Sequence, residues 1–246
     1  MGRMTEAVKH IIILNVILFI ASQPQLMPGL NLQNIFALYF PENEKFGFWQ
    51  FLTHMFMHSG FAHILFNMYG LWAFGTPLEQ MWGRNKFIFF YLSAGLGAGA
   101  IYTLVNYYQF NSVYDQLVSI GLTGADIQNI LNTGSYNPQI LESISGNKLS
   151  EFYATYHTPA VGASGAVYGI LVAFGMAFPN AKLALIFFPV PIAAKYFIPA
   201  IILGDLFFGI TKYSIGNVAH FAHVGGALIG FIIAWYWRQN QFKQWN

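Results

Sequence analysis

Residues 217–237 read Asn217-Val-Ala-His220-Phe-Ala-His223-Val-Gly225-Gly226-Ala-Leu-Ile-Gly230-Phe-Ile-Ile-Ala-Trp235-Tyr-Trp237, without one Asp, Glu, Lys or Arg. About 20 mostly apolar residues are what a helix needs to cross the hydrocarbon core of a bilayer. Five further stretches, about 8–27, 60–79, 86–107, 160–178 and 196–211, read the same way. The fifth of the six is the most interrupted, because Pro189, Pro191 and Pro199 break its approach. The runs are continuous rather than alternating, which argues against a membrane barrel. The predicted fold is therefore all-α, a polytopic membrane bundle of six spans forming a single membrane-embedded domain over 1–246.

Composition agrees. Of the 246 residues, 56% are hydrophobic and 8% charged, with 25 Phe. Soluble domains are roughly 25% charged, so this chain cannot cover a water-soluble globule. A net charge of +2 supplies no basic face for nucleic acid. The absence of Cys excludes disulfide scaffolds, thiolate metal sites and Cys nucleophiles.

Charge sets an expected orientation. Arg3 and Lys9 precede an apolar run with no small-x-small cleavage site after it, so it reads as a retained first span. With both termini cytoplasmic, Arg3, Lys9, Arg84, Lys86, Lys182, Lys195, Arg238 and Lys243 lie inside, eight of eleven basic residues. Lys45, Lys148 and Lys212 lie outside, and Trp235, Trp237 and Trp245 read as interfacial anchors. The expected location is a bacterial plasma membrane. Two outside segments are long. Residues 28–58 are aromatic-rich and are expected partly in the interface, and 108–157 are expected to form a long polar loop.

Polar groups at membrane depth are costly and so point to function. Ser164 sits in Gly162-Ala163-Ser164-Gly165, at the start of the fourth span. Flanking glycines let a substrate backbone approach, and a helix N-terminus offers N–H groups to a developing oxyanion. Small residues also simply pack membrane helices together. In the last span Gly226 and Gly230 share the i,i+4 spacing of Gly165 and Gly169. Two such faces can dock closely and bring His223 to Ser164. His220, one turn earlier, competes for the role but is expected nearer the outer surface, at a solvated rim. His63 and Asn67 share one face of the second span, as two donors for an oxyanion or as an interhelical clamp. No Asp or Glu falls beside these groups in the sequence, which predicts a Ser–His dyad. Asp205 reads as a paired structural residue of the fifth span.

At these residues the chain resembles the rhomboid family of intramembrane serine proteases. The resemblance runs from about Phe48 to Trp237 and rests on four stretches in order: His54-Met-Phe-Met-His58-Ser-Gly-Phe-Ala-His63-Ile-Leu-Phe-Asn67; Gly75-Thr-Pro-Leu-Glu79 with Trp82-Gly83-Arg84; Gly162-Ala-Ser164-Gly165 with Tyr168; and Ala222-His223-x-x-Gly226-x-x-x-Gly230. It implies Ser164 as nucleophile and His223 as general base and then acid. It implies an oxyanion hole from His63, Asn67 and the Ser164 N–H, with Tyr168 stacked on His223. It also implies lateral entry of membrane-protein substrates near the fifth span, under a cap at 212–218. No metal or cofactor is expected, and the partners are the bilayer and transmembrane substrates cut near its outer boundary.

Other chemistries fit less well. His54-Met-Phe-Met-His58 lacks the Glu of a zinc protease motif, and no second carboxylate pairs with Asp205 as an aspartyl site needs. The alternatives are a catalytically inactive rhomboid-like binding module and a transporter with an intramembrane proton relay. The first would usually lack the Ser or the His, and the second predicts inverted repeats that the two halves do not show.

Overall fold

The helix Ser164–Ala177 (α9) is buried on nearly every side, through Gly165, Ala166, Val167, Gly169, Ile170, Val172, Ala173 and Phe174. A helix apolar all round belongs at the centre of a bundle, and the rest of the fold is arranged about it. In the computed structural model, residues 3–24, 26, 29, 31–185, 188–211 and 219–240 are described. The cap expected at 212–218, with Lys212, Lys243 and Trp245, lies outside the described residues.

In chain order the helices are α1 (Glu6–Ala21), α2 (Leu32–Phe36), α3 (Gln50–Thr53), α4 (Phe61–Gly70), α5 (Thr76–Trp82), α6 (Arg84–Ser119), α7 (Gly124–Thr133), α8 (Gly146–His157), α9, α10 (Ala194–Thr211) and α11 (His220–Asn240). A π-helical turn, Leu71–Gly75, joins α4 to α5, so the expected second span is one interrupted rod. Among the described residues, three helices, Arg84–Ser119, Ala194–Thr211 and His220–Asn240, are long and apolar enough to cross a membrane by length and composition. With 14 residues, α9 is about 21 Å long, shorter than the roughly 30 Å hydrocarbon core. The irregular backbone that leads into it is enclosed by protein at Gly162 and Ala163, a setting in which such backbone is tolerated in a membrane protein.

Close packing around α9 follows from small residues at i,i+4 on three helices. A Cβ on Gly226 would overlap the Gly165 carbonyl, and one on Gly230 would overlap Gly169. On the other flank, Ala98 and Ala94 of α6 fill the space beside Gly165 and Gly169. Outward-facing Leu203, Phe207 and Ile210 of α10 and Phe231, Ile232 and Trp235 of α11 are exposed, as a lipid-facing surface requires. At one end of the bundle, buried Glu79 accepts from the Ala7 and Val8 N–H groups and from the Thr5 hydroxyl, closing the α1 N-terminus. At that same end of α5, Trp82 meets Trp237 at 5.1 Å, and Lys86 Nζ lies 4.8 Å from the Trp237 ring.

One expectation needs correction. Residues 108–157 are not a loop. α6 continues to Ser119 and carries α7, the 3-10 turn Pro138–Glu142 and α8. These bury a second apolar cluster in which Phe110 stacks on Phe152 at 4.2 Å, alongside Leu117, Ile127, Ile130 and Leu149. Each helix has a local start signal: a Thr123/Asp126 capping box on α7, Asn137 before the 3-10 turn and Ser145 on α8. Alongside its helices the fold holds one short ribbon among the described residues. Lys182–Leu185 (β1) and Phe188–Ala193 (β2) pair antiparallel, with Lys182 opposite Ala193 and Leu183 opposite Ile192. A two-stranded ribbon has only edges, so Pro189 and Pro191 fit in β2.

The 31–58 segment, expected partly in the interface, also packs inward. Leu38 pairs with Ala160, and buried Gln50 accepts from the Tyr39 N–H while donating to the Lys45 carbonyl. Phe48 and Trp49 remain exposed and suit an interfacial position.

Candidate active site

Gly162 begins the site. Its φ of +123° lies where side chains are strained, and a Cβ there would also press on His63 Nε2 at 2.7 Å. Only glycine lets the 158–163 segment turn into α9 past that ring. The Gly162 N–H donates to the His54 carbonyl, fixing the turn from the other side. Ser164 follows as the first residue of α9.

The docked glycine faces place α11 beside this turn. Ser164 Oγ donates to His223 Nε2 at 2.8 Å. The Tyr168 ring, one turn along α9, stacks on the His223 ring at 4.2 Å and 12°. His223 Nδ1 lies 3.2 Å from Asp205 Oδ1, so the expected two-residue pair has a carboxylate behind it. That corrects the sequence reading, which found no acid beside Ser164 and His223. Asp205 reaches them from α10, and it also accepts from the Tyr168 hydroxyl through Oδ2. His220 is corrected too. It is not at a solvated rim, since its side chain is 11% exposed and its Nδ1 donates to Asp205 Oδ1 at 2.5 Å.

The tautomers follow. For Nε2 of His223 to accept from Ser164, Nδ1 must hold the proton and donate it to Asp205. His63 has the reverse arrangement. Its Nδ1 accepts from the Ser59 hydroxyl at 3.0 Å and faces the Ser59 N–H at 3.5 Å, so its proton sits on Nε2, which points toward Gly162 and the site. Asn67 is buried, and its Nδ2 donates to the His63 carbonyl at 3.1 Å, leaving its second N–H uncommitted by that bond. Sequence reasoning missed Ser59 and Asp205. Ser59 carries a signal, four residues before His63 at a helix entry, whereas Asp205 carries none without the α10–α11 packing. Ahead of the second span, His54 and His58 are buried. Burial pulls their pKa values from about 6.5 to about 4 and about 3, and for His58 the neighbouring His63 adds to the shift.

Fold and site define a polytopic helical membrane protein with a recessed Ser–His–Asp chain at the head of its central helix. A Rhomboid domain matches residues 45–128 and 138–240, and the chain belongs to the rhomboid family. It is 28% identical over 181 residues to "Rhomboid protein 1, mitochondrial" of Saccharomyces cerevisiae, covering 74% of this chain and 39% of that one. It is 27% identical over 187 residues to "Rhomboid protease GluP" of Bacillus subtilis, covering 76% and 25%. With "RHOMBOID-like protein 12, mitochondrial" of Arabidopsis thaliana it shares 30% over 188 residues, covering 75% and 44%. The chain thus spans less than half the length of these relatives.

Proposed function

We propose that this protein is an intramembrane serine endopeptidase that cuts transmembrane segments near the outer boundary of the bilayer. The observation that carries the reading is the 2.8 Å bond from Ser164 Oγ to His223 Nε2. In the proposed cycle Ser164 Oγ attacks the scissile carbonyl as its proton passes to His223 Nε2. The imidazolium is stabilised by Asp205 through Nδ1. The oxyanion is met by His63 Nε2–H, the Ser164 N–H at the α9 N-terminus and Asn67. His223 then returns the proton to the leaving amine, and water hydrolyses the acyl-enzyme. Tyr168 keeps the His223 ring in plane, while Gly162 and Gly165 keep the turn open for the substrate backbone.

Substrates of this class are single-span or multi-span membrane proteins entering beside α10. Eight of eleven basic residues support placing both termini on the cytoplasmic side. For the membrane itself, the relatives named mitochondrial weigh against the expected bacterial plasma membrane. The inactive-module reading has no observation in its favour, because Ser164 and His223 are both present and bonded. The test is labelling by a fluorophosphonate probe. Wild type should be acylated and Ser164→Ala should not, and equal labelling of the two would refute the assignment.

A further inference from the structure

We propose that Asp205, His220 and His223 form a binding site for Zn2+ or a similar d-block divalent cation, and that occupying it switches the Ser164–His223 pair off. The inhibitory half rests on the protease reading above, whereas the binding half does not.

The donor set comes first. Two imidazole nitrogens and one carboxylate oxygen suit zinc-like ions, while magnesium and calcium prefer all-oxygen shells. His220 and His223 are one turn apart on the same face of α11, and Asp205 faces them from α10. One ligand atom from each lies within 4.8 Å of the others. Bonds of roughly 2.0–2.2 Å in a tetrahedron put donors about 3.4 Å apart. Asp205 Oδ1 is 3.2 Å from His223 Nδ1, already near that spacing, and 2.5 Å from His220 Nδ1, a gap that must widen by about 1 Å. The carboxylate is pre-oriented. Tyr168 donates to Oδ2 and leaves Oδ1 to the ion, the usual task of a group behind a metal ligand. The His220 and His223 side chains keep 11% and 13% of their surface exposed, so the donors are largely but not wholly enclosed.

Inhibition follows from imidazole chemistry. A neutral ring has one N–H and one lone pair. Coordination through Nδ1 of His223 requires that lone pair, so the ring proton moves to Nε2. Nothing is oxidised or reduced, and no proton need leave the ring. Nε2 is the atom facing Ser164 Oγ. Once protonated, it can donate to Oγ but can no longer take the serine's proton. The metal-bound protein is thus folded, with an intact constellation that lacks its base.

The experiment uses the whole chain in detergent, stripped of metal and titrated with Co2+ and then Zn2+. Wild type should bind one Co2+ with the visible absorption of a tetrahedral site, displaced by Zn2+. Saturating Zn2+ should slow fluorophosphonate labelling at least about tenfold, and EDTA should restore it. In His220→Ala the Co2+ affinity should fall by more than the roughly 10–100-fold that losing a group behind a ligand costs, with Zn2+ half-inhibition rising in step relative to that variant's own metal-free rate. Ser164→Ala should keep the Co2+ spectrum, since its ligands are intact. If His220→Ala fails to fold, the stoichiometry and Zn2+ response of wild type decide. Labelling unaffected by saturating Zn2+, or a Co2+ spectrum identical in wild type and His220→Ala, overturns the proposal and leaves the protease reading standing. Labelling that needs added Zn2+ overturns it as well. Co2+ bound by wild type and Ser164→Ala, with no labelling of metal-free wild type, sinks the protease reading and leaves the metal site.

Discussion

Asp205 decides whether His223 works alone or against a fixed carboxylate. Its side chain is 9% exposed, and it gathers a tyrosine hydroxyl and two imidazole N–H groups on its two oxygens. Three donors are what a carboxylate needs to stay ionised away from water. Replacing it with Asn keeps the shape but lets an amide N–H face His223 Nδ1, favouring the tautomer in which Nε2 carries the proton. Asp205→Asn should therefore slow Ser164 acylation by roughly 10²–10⁴ with little change in melting temperature. A rate within about twofold of wild type would return the site to a dyad. The donor side has its own test. His63→Ala or Asn67→Ala should cut turnover by about a hundredfold or more, while stability changes by only about 1 kcal/mol. Early melting with unimpaired turnover in the cold would make the pair a structural clamp. Ser164 and His223 could be read from the sequence because each sits in a glycine pattern with a packing meaning. Asp205 could not, because a lone acid in an apolar span looks the same whether it pairs with a tyrosine or with a histidine 18 residues away.

The α9–α11 contact determines where Ser164 sits. Three helices present small residues at i,i+4, and the glycine spacing of two of them is visible in the sequence. The role of Ala94 and Ala98 is not, because alanine is common in every apolar helix. Gly226→Ala puts a methyl against the Gly165 carbonyl, a backbone atom that no rotamer change can move aside. It should destabilise by about 1–3 kcal/mol and depress labelling, since Ser164 immediately precedes Gly165. Gly204→Ala is the control. Nothing lies within 4 Å of its added Cβ, so it should gain up to about 1 kcal/mol from helix propensity alone. Equal melting temperatures for both variants would remove the close-packing argument. Other elements escaped the sequence reading for local reasons. α7 and α8 are short and polar, and each depends on a cap and on the Phe110–Phe152 cluster rather than on a long apolar period. The β1–β2 ribbon is punctuated by prolines that read as breaks, because its pairing is visible only once the two arms are side by side.

At the scale of the whole molecule, the apolar stretches that form Arg84–Ser119, Ala194–Thr211 and His220–Asn240 could be read because a bilayer demands continuous hydropathy. What the sequence hid is that the segment before the second span is part of the core. His54 is buried against α6, 3.0 Å from the space a Cβ on Gly99 would fill, and its Nδ1 donates to the Gln50 carbonyl. His58 is buried beside His63, their ring centroids 5.0 Å apart. Both are folded neutral, with pKa values lowered to about 4 and about 3, burial being the larger cause. In the unfolded chain each titrates near its ordinary value of about 6.5. Above that pH neither state is protonated, and the contribution to stability is complete. As pH falls below about 6.5 the unfolded chain takes up protons that the fold refuses, and stability drops by up to about 1.4 kcal/mol per pH unit for each histidine. The loss ends only when pH passes through the folded values near 4 and 3. Melting temperature in detergent should thus be flat above neutrality and fall steeply from pH 6.5 toward 4. Gln can replace the His54 donor without titrating, so His54→Gln should fold and melt with a shallower slope, and His58→Gln likewise. If both variants keep the wild-type slope, acid destabilisation comes from elsewhere, and the packing of this segment under α6 does not set the acid limit of the fold.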